Sequence, residues 1–122
     1  MYQGEAEMNE KKDIGSNLEL LYETILKRKA RGKAKDSYTA QILDKGTNYI
    51  AQKVGEEVVE LVIAAVNRNK KLSISESADV LYHMLVLWAS IGVTPSMISS
   101  ELESRQKQSG IQEKNSRNSK AS

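Results

Sequence analysis

Hydrophobic residues recur with a helical period along most of the chain. From Leu18 onward, apolar side chains occupy positions i, i+3, i+4, i+7 and i+8, a spacing that places them on one face of an α-helix. Ser16 and Glu19 form an S-x-x-E capping box, which predicts that this first helix begins at residue 16. We find no alternation of polar and apolar residues of the kind typical of a β-strand.

Four further helices are predicted from the residues that separate the later apolar runs. They are expected over residues 37–45, 48–67, 73–91 and 94–107. Ser73 and Glu76 form a second S-x-x-E pattern, and Thr94 followed by Pro95 is a typical helix start. The pattern therefore predicts an all-α fold, a helical bundle of about five helices.

One helical domain, residues 16–108, is expected between two polar segments. Residues 1–15 lack apolar periodicity and are expected to be a disordered leader, and residues 109–122 form a polar, basic tail. From residue 105 to the end there are five basic residues against one acid. This region is either a solvated tail or a contribution to binding an anionic ligand.

The composition of the chain excludes several kinds of site and several classes of protein. The sequence has no cysteine, which excludes disulfides and thiolate metal ligands and fits a reducing compartment. The N-terminal residues are polar and acidic, and the longest apolar run, residues 84–93, is too short to span a bilayer. The basic tail has no aromatic residue for base stacking. We therefore expect a cytoplasmic protein that uses neither a membrane nor a nucleic acid.

Acidic residues on two successive predicted helices are the candidate chemistry. The first of these helices carries Glu57 and Glu60 beside an apolar stripe, about 20° and 80° outside it on a wheel of ~100° per residue. The stripe is expected to face the core and comprises Ile50, Ala51, Val54, Val58, Leu61, Val62 and Ala65. The second helix carries Glu76 and Asp79 and is apolar nearly all round, so this helix should be largely buried.

Buried carboxylates are rare unless they are paired or bound to a metal. Four hard oxygen ligands on facing helices suit Mg²⁺ or Mn²⁺. Each residue also has a structural explanation: Glu76 can complete a capping box, and Glu56 can be a solvated surface acid. His83 is more typical of an intrahelical partner of Asp79 or a satisfied core histidine than of a ligand. The complete set of carboxylate pairs favours a metal site.

The spacing Glu56-Glu57-x-x-Glu60 followed by Glu76-x-x-Asp79 resembles the metal site of the all-α nucleoside triphosphate pyrophosphatases, often called MazG-like. Flanking segments narrow the resemblance to the phosphoribosyl-ATP pyrophosphatase family, over about residues 17–117. These segments are Ser37-Tyr38-Thr39-Ala40, Lys53-Val54-Gly55, Val62-Ile63-Ala64-Ala65, Ser77-Ala78-Asp79-Val80-Leu81-Tyr82-His83, Gly92-Val93, Glu101-Leu102-Glu103-Ser104-Arg105 and Ser109-Gly110.

This resemblance implies hydrolysis of phosphoribosyl-ATP to phosphoribosyl-AMP and pyrophosphate, the second step of histidine biosynthesis. By the same resemblance, Glu57, Glu60, Glu76 and Asp79 hold Mg²⁺, while Glu56 supports the site or activates water. A metal at such a site bridges phosphate oxygens and neutralises their charge.

Three cations, Lys45, Lys53 and Arg105, are expected to bind the polyphosphate of the substrate. For Lys53 the alternative is an ion pair with Glu56 or Glu57, which lie three and four residues further on. The sequence shows no serine, cysteine or histidine nucleophile arrangement beside the acids, so direct attack by water is expected.

Two other functions stay open at this point. One is a pyrophosphatase that acts on another nucleotide, such as dUTP or a damaged nucleotide, which a substrate panel distinguishes. The other is a non-catalytic helical adaptor whose acids are only surface charge, which an absence of metal binding would favour. Because the second acidic helix needs cover from several sides, we expect at least a homodimer, with a substrate site that both chains can help to build.

Overall fold

The computed structural model describes residues 13–32, 37–108 and 117, and these residues form an all-α fold. The described part contains five helices: α1 (Ile14–Arg31), α2 (Tyr38–Lys45), α3 (Thr47–Val66), α4 (Lys70–Ile91) and α5 (Pro95–Gln106). The predicted all-α class and the number of helices are confirmed. Helix α1 begins inside the segment 1–15 that was assigned to the leader, while residues 1–12 and nearly all of the tail 109–122 lie outside the described residues.

Two helices begin about one turn earlier than their S-x-x-E patterns predicted. Asp13 caps α1, since its side chain accepts a bond from a first-turn N–H at 2.9 Å and another from the Ser16 hydroxyl at 2.8 Å. Asn69 caps α4 and accepts from a first-turn N–H at 3.0 Å. The predicted caps at Ser16 and Ser73 are wrong because the upstream Asp and Asn side chains already satisfy the free N–H groups of the first turn.

The remaining helix boundaries lie within one residue of the prediction. Ser37 caps α2 by accepting from a backbone N–H at 3.0 Å, and Thr94 caps α5 with Pro95 at its first position. Helix α4 ends at Gly92, which adopts a left-handed conformation with φ of 79°. Glycine reaches this conformation without the steric penalty of a Cβ atom, so it is a strong stop signal.

The chain divides into two compact units, residues 1–92 and residues 93–122. In the first unit, α3 and α4 share the most extensive contact, and α1 and α2 also pack on α4. The core of this unit joins all four helices and consists of Tyr22, Ile25, Ile42, Ile50, Leu85, Val86 and Ala89. In the second unit, none of the side chains of α5 is buried. Helix α4 is therefore the central element around which the first unit is built.

Helix α3 turns a different face inward from the one that its sequence predicted. Of the predicted stripe only Ile50 is buried, whereas Val58 and Val62 are 38% and 53% exposed. Glu57 is half-buried and Ala64 is buried, so the inner face is rotated by about 70° from the predicted stripe at ~100° per residue. The rotation turns Glu57 toward the interior of the unit.

The opposite face of α3 is also apolar, which explains the error. Val59, Val62, Ile63 and Val66 follow one another at i, i+3, i+4 and i+7, and their exposed fractions are 57%, 53%, 55% and 75%. We call these four residues the outer α3 stripe. A helical wheel averages the two apolar faces, so the inner face that it predicts lies between them.

No single helix among those described is long and apolar enough to cross a membrane, although α4 counted together with α5 meets that test by length and composition.

Candidate metal centre

Three carboxylates from α3 and α4 converge where these helices pack together. One oxygen from each of Glu57, Glu76 and Asp79 lies within 4.8 Å of the other two. Glu57 comes from the inner face of α3, while Glu76 and Asp79 share one side of α4 because three positions separate them along the helix. Three of the four residues that were expected to hold a metal thus meet in the structure.

Glu60, the fourth expected ligand, lies beside this group rather than within it. Its side chain and that of Glu76 line a cavity of about 220 Å³ between α3 and the start of α4. The charge of Glu60 acts on Glu76, as the pKa of Glu76 shows below. We refer to Glu57, Glu60, Glu76 and Asp79 together as the acidic cluster.

Glu76 is the member of the acidic cluster with the least favourable surroundings. Its Oε2 atom is buried and has no hydrogen-bond partner among the described residues. Burial raises the pKa of Glu76 above its usual value of 4.5, and the nearby carboxylates of Glu60, Asp79 and Glu57 raise it further. A buried carboxylate oxygen without a donor is unfavourable unless a cation satisfies it. The oxygen donors present therefore fit a hard divalent cation.

Lys53 and Glu56 form the outer edge of the acidic cluster. The Lys53 Nζ atom lies 3.7 Å from Glu56 Oε1 and 4.0 Å from Glu57 Oε1. Gln52 Nε2 donates to the second oxygen of Glu56 at 3.1 Å. The ion pair that the sequence left open is present, and it holds the ammonium beside the converging carboxylates.

Two residues that the sequence did not assign to the site lie next to it. The hydroxyl of Tyr38, at the start of α2, is 3.1 Å from His83 Nε2, and His83 Nδ1 is 2.8 Å from the Asp79 carbonyl oxygen. His83 is 6% exposed, so it is a buried histidine with both nitrogens bonded, as the sequence favoured. Tyr38 and His83 are 45 positions apart in the sequence, so no local spacing predicts their contact.

The other two expected cations have different surroundings. Lys45 Nζ lies 4.5 Å from the centre of the Tyr49 ring, a cation–π contact at the end of α2. Arg105 lies in the second unit, where its Nε donates to Glu101 Oε2 at 3.0 Å. The substrate-binding roles of Lys45, Lys53 and Arg105 stay predictions.

Comparison with known proteins agrees with the geometry of the acidic cluster. Residues 18–106 match the family model described as Phosphoribosyl-ATP pyrophosphohydrolase. Over 112 residues the chain is 48% identical to the phosphoribosyl-ATP pyrophosphatase of Azospirillum brasilense, covering 92% of this chain and all of the relative. It is 51% identical to that of Paramagnetospirillum magneticum, over 82% of this chain and 91% of the relative. A relative from Saccharolobus islandicus is 52% identical over 71% of this chain and 92% of its own length.

Proposed function

The chain belongs to the phosphoribosyl-ATP pyrophosphohydrolase family, and from this premise we propose that its acidic cluster is the centre of a Mg²⁺-dependent pyrophosphatase. The reaction is the hydrolysis of phosphoribosyl-ATP to phosphoribosyl-AMP and pyrophosphate, in histidine biosynthesis. The observation that supports the metal most strongly is the convergence of three carboxylates around the buried, unpartnered oxygen of Glu76.

In this proposal Glu57, Glu76 and Asp79 hold the metal, and Glu60 supplies a fourth carboxylate beside Glu76. Carboxylate ligands without histidine or cysteine suit Mg²⁺, with Mn²⁺ as the second candidate. When bound, the divalent ion neutralises charge on the phosphate oxygens and lowers the pKa of the attacking water.

Residues at the edge of the cluster perform the remaining tasks. A water oxygen attacks one phosphorus of the bond between the α and β phosphates, the anhydride P–O bond breaks, and phosphoribosyl-AMP and pyrophosphate are the two products. The proton from water passes to the carboxylate of Glu56, whose side chain is 50% exposed at this edge. The ammonium of Lys53 binds the polyphosphate, and Lys45 and Arg105 are further contacts proposed for it.

The substrate assignment predicts a large preference for phosphoribosyl-ATP over ATP and dUTP. ATP lacks the phosphoribosyl group, and an enzyme that uses this remote group for binding loses rate on the shortened substrate. With saturating Mg²⁺, we expect kcat/KM for ATP and for dUTP to be lower by at least about tenfold. The measurement is pyrophosphate release from each nucleotide. Equal kcat/KM values for the three nucleotides would indicate a general nucleotide pyrophosphatase instead. No release of pyrophosphate from any of them would favour the non-catalytic helical adaptor.

The chain is also proposed to form a homodimer through the outer α3 stripe. Its four side chains are each more than half exposed, and Leu72 of α4 continues the apolar surface beside Ile63, since both line one cavity. Soluble monomers rarely expose an apolar patch of this kind unless a partner covers it. A second copy related by two-fold symmetry would place the same stripe on both sides of the contact.

A charge in the outer α3 stripe should therefore separate the two protomers. In the Val62→Asp variant, two carboxylates would face the apolar contact without partners, so we expect a monomer at concentrations where the wild type is a dimer. The matched control is Leu20→Asp, which changes an apolar side chain of α1 that is 63% exposed and should leave the dimer intact. Sedimentation velocity measures all three proteins. A monomeric wild type or a dimeric Val62→Asp protein would contradict this interface.

A further inference from the structure

A second cavity of the first unit is separate from the acidic cluster, none of whose four residues lines it. Its volume is about 260 Å³, close to the lower end, about 300 Å³, of the range typical of ligand cavities. Side chains from four helices form its polar wall: Arg28 and Lys29 from the end of α1, Asp44 from α2, Thr47 from the start of α3 and Ser90 from the end of α4. The cavity can therefore hold one part of a nucleotide-sized ligand.

The two cations of this cavity are available to an anion. Arg28 has no carboxylate partner among the described residues, and its guanidinium donates to the Thr39 hydroxyl at 3.4 Å. Lys29 Nζ donates to the Ala89 carbonyl at 2.9 Å, which holds the ammonium at the end of α4 and uses one of its three N–H donors. The positive end of the α3 dipole lies in the same wall. Guanidinium and ammonium groups in this arrangement favour a phosphate.

Asp44 is the acidic residue of the cavity wall. It is exposed, and in the described part of the chain it forms no ion pair with Arg28 or Lys29. A carboxylate repels a bare anion, but it accepts hydrogen bonds from sugar hydroxyls, as an acidic residue does toward ribose in dinucleotide-binding folds. Two cations and one carboxylate thus suit a ribose phosphate better than inorganic phosphate.

Packed side chains connect the cavity with the acidic cluster. Thr39, which Arg28 contacts, is also bonded to the hydroxyl of Tyr82, and Tyr82 follows Asp79 by one turn of α4. Ser90 lies eleven positions beyond Asp79, or ~16 Å along the helix at ~1.5 Å per residue. In phosphoribosyl-ATP a purine and two ribose rings separate the triphosphate from the second phosphate group. Their combined length is of the same order, so one molecule can reach both places.

We propose that this cavity binds the ribose 5-phosphate end of phosphoribosyl-ATP, with Arg28 and Lys29 on the phosphate and Asp44 on the ribose hydroxyls. The inference rests on the proposed function, because it takes its substrate from there. The acidic cluster acts on the triphosphate, which ATP also has. The cavity binds the group that ATP lacks, so its residues determine specificity.

The Arg28→Gln variant tests this role in turnover, since it removes the charge and keeps a donor for Thr39. Loss of a hydrogen bond from a charged group should lower kcat/KM for phosphoribosyl-ATP by about tenfold to 100-fold. The ratio of this kcat/KM to that for ATP should fall by the same factor. The matched control is Lys27→Gln, which removes an equal charge at an exposed position outside the cavity and should keep the wild-type ratio.

Binding of ribose 5-phosphate gives a readout that does not depend on turnover. The probe is titrated in EDTA and followed by amide NMR, with inorganic phosphate and ribose in separate titrations. In wild type, ribose 5-phosphate should shift the signals of Gly46, Thr47 and Ser90 and bind more tightly than either fragment. Asp44→Ala should weaken ribose 5-phosphate binding by about threefold to tenfold, the loss typical of one hydrogen bond, without weakening that of inorganic phosphate.

Thermal melts identify any variant that fails to fold, and the wild-type titration tests the cavity in either case. The inference would be overturned if ribose 5-phosphate left the three wild-type signals unshifted, or if Arg28→Gln and Lys27→Gln gave the same ratio of kcat/KM values. A wild type that bound ribose 5-phosphate in the cavity but did not hydrolyse phosphoribosyl-ATP would instead refute the proposed function and leave the ribose phosphate site standing.

Discussion

Replacing Glu57 with glutamine is expected to lower kcat/KM for phosphoribosyl-ATP by more than about 100-fold, since changes even to the partners of a metal ligand cost up to that factor. Glu57 is the one member of the converging trio that α3 contributes. Glutamine keeps the shape of the side chain but removes the charge that a hard divalent cation requires. Initial rates of pyrophosphate release at saturating Mg²⁺ measure the loss.

The same variant should be at least as stable as wild type when no metal is present. The three carboxylates lie within 4.8 Å of one another, and removal of one charge relieves their repulsion. Mg²⁺ at about 100 times its dissociation constant should raise the melting temperature of wild type by on the order of 10 °C, and that of Glu57→Gln by much less. Glu23→Gln, a change to an exposed acid of α1, is the control and should respond as wild type does. Identical melting curves with EDTA and with Mg²⁺ for every protein would favour the alternative of a non-catalytic helical adaptor.

Glu76→Gln is expected to stabilise the metal-free protein, and by more at neutral pH than at acid pH. The pKa of Glu76 is raised in the folded state by burial and by neighbouring carboxylates, so the folded protein binds this proton more tightly than the unfolded chain. The resulting contribution to stability is fully present below the usual value of 4.5 and is lost as the pH rises through the raised pKa. A glutamine does not titrate, and its amide N–H can donate to the neighbouring acids.

Urea unfolding in EDTA between pH 4 and pH 8 measures this difference directly. The free-energy gap between Glu76→Gln and wild type should widen as the pH rises, and acids that do not interact with Glu76 contribute equally to both proteins. Mg²⁺ should reverse the order of stability at neutral pH, because wild type retains every carboxylate that is proposed to bind the ion. A variant that is less stable than wild type in EDTA at pH 8 would show that Glu76 already has a favourable partner.

The sequence predicts those parts of the candidate site that local periodicity determines. Glu76 and Asp79 interrupt an apolar helix three positions apart, and this spacing alone places them on one side of α4. The helix starts at Ser16 and Ser73 were misplaced because two capping signals compete within one turn, and the pattern alone does not rank them. Asp13 and Asn69 prevail because their side chains bond the first-turn N–H groups.

The inner face of α3 and the contact of Tyr38 with His83 depend on packing between distant segments. A hydrophobic pattern reports that a side chain avoids water, but it does not distinguish the interior of one chain from a surface that another molecule covers. Val62 was therefore assigned to the core, although it is 53% exposed in the single chain. Tyr38 and His83 meet only because α2 and α4 pack together in the first unit.

Metal dependence of pyrophosphate release from phosphoribosyl-ATP is the most direct test of the acidic cluster as the catalytic centre. Wild type is first freed of divalent ions with EDTA, and the release is followed before and after excess Mg²⁺ is added. We expect no release above the uncatalysed rate in EDTA, and full activity once Mg²⁺ is restored, with Glu57→Gln inactive in both conditions. Release that continues in EDTA, or a Glu57→Gln protein as active as wild type with Mg²⁺, would contradict a carboxylate-bound metal at this site.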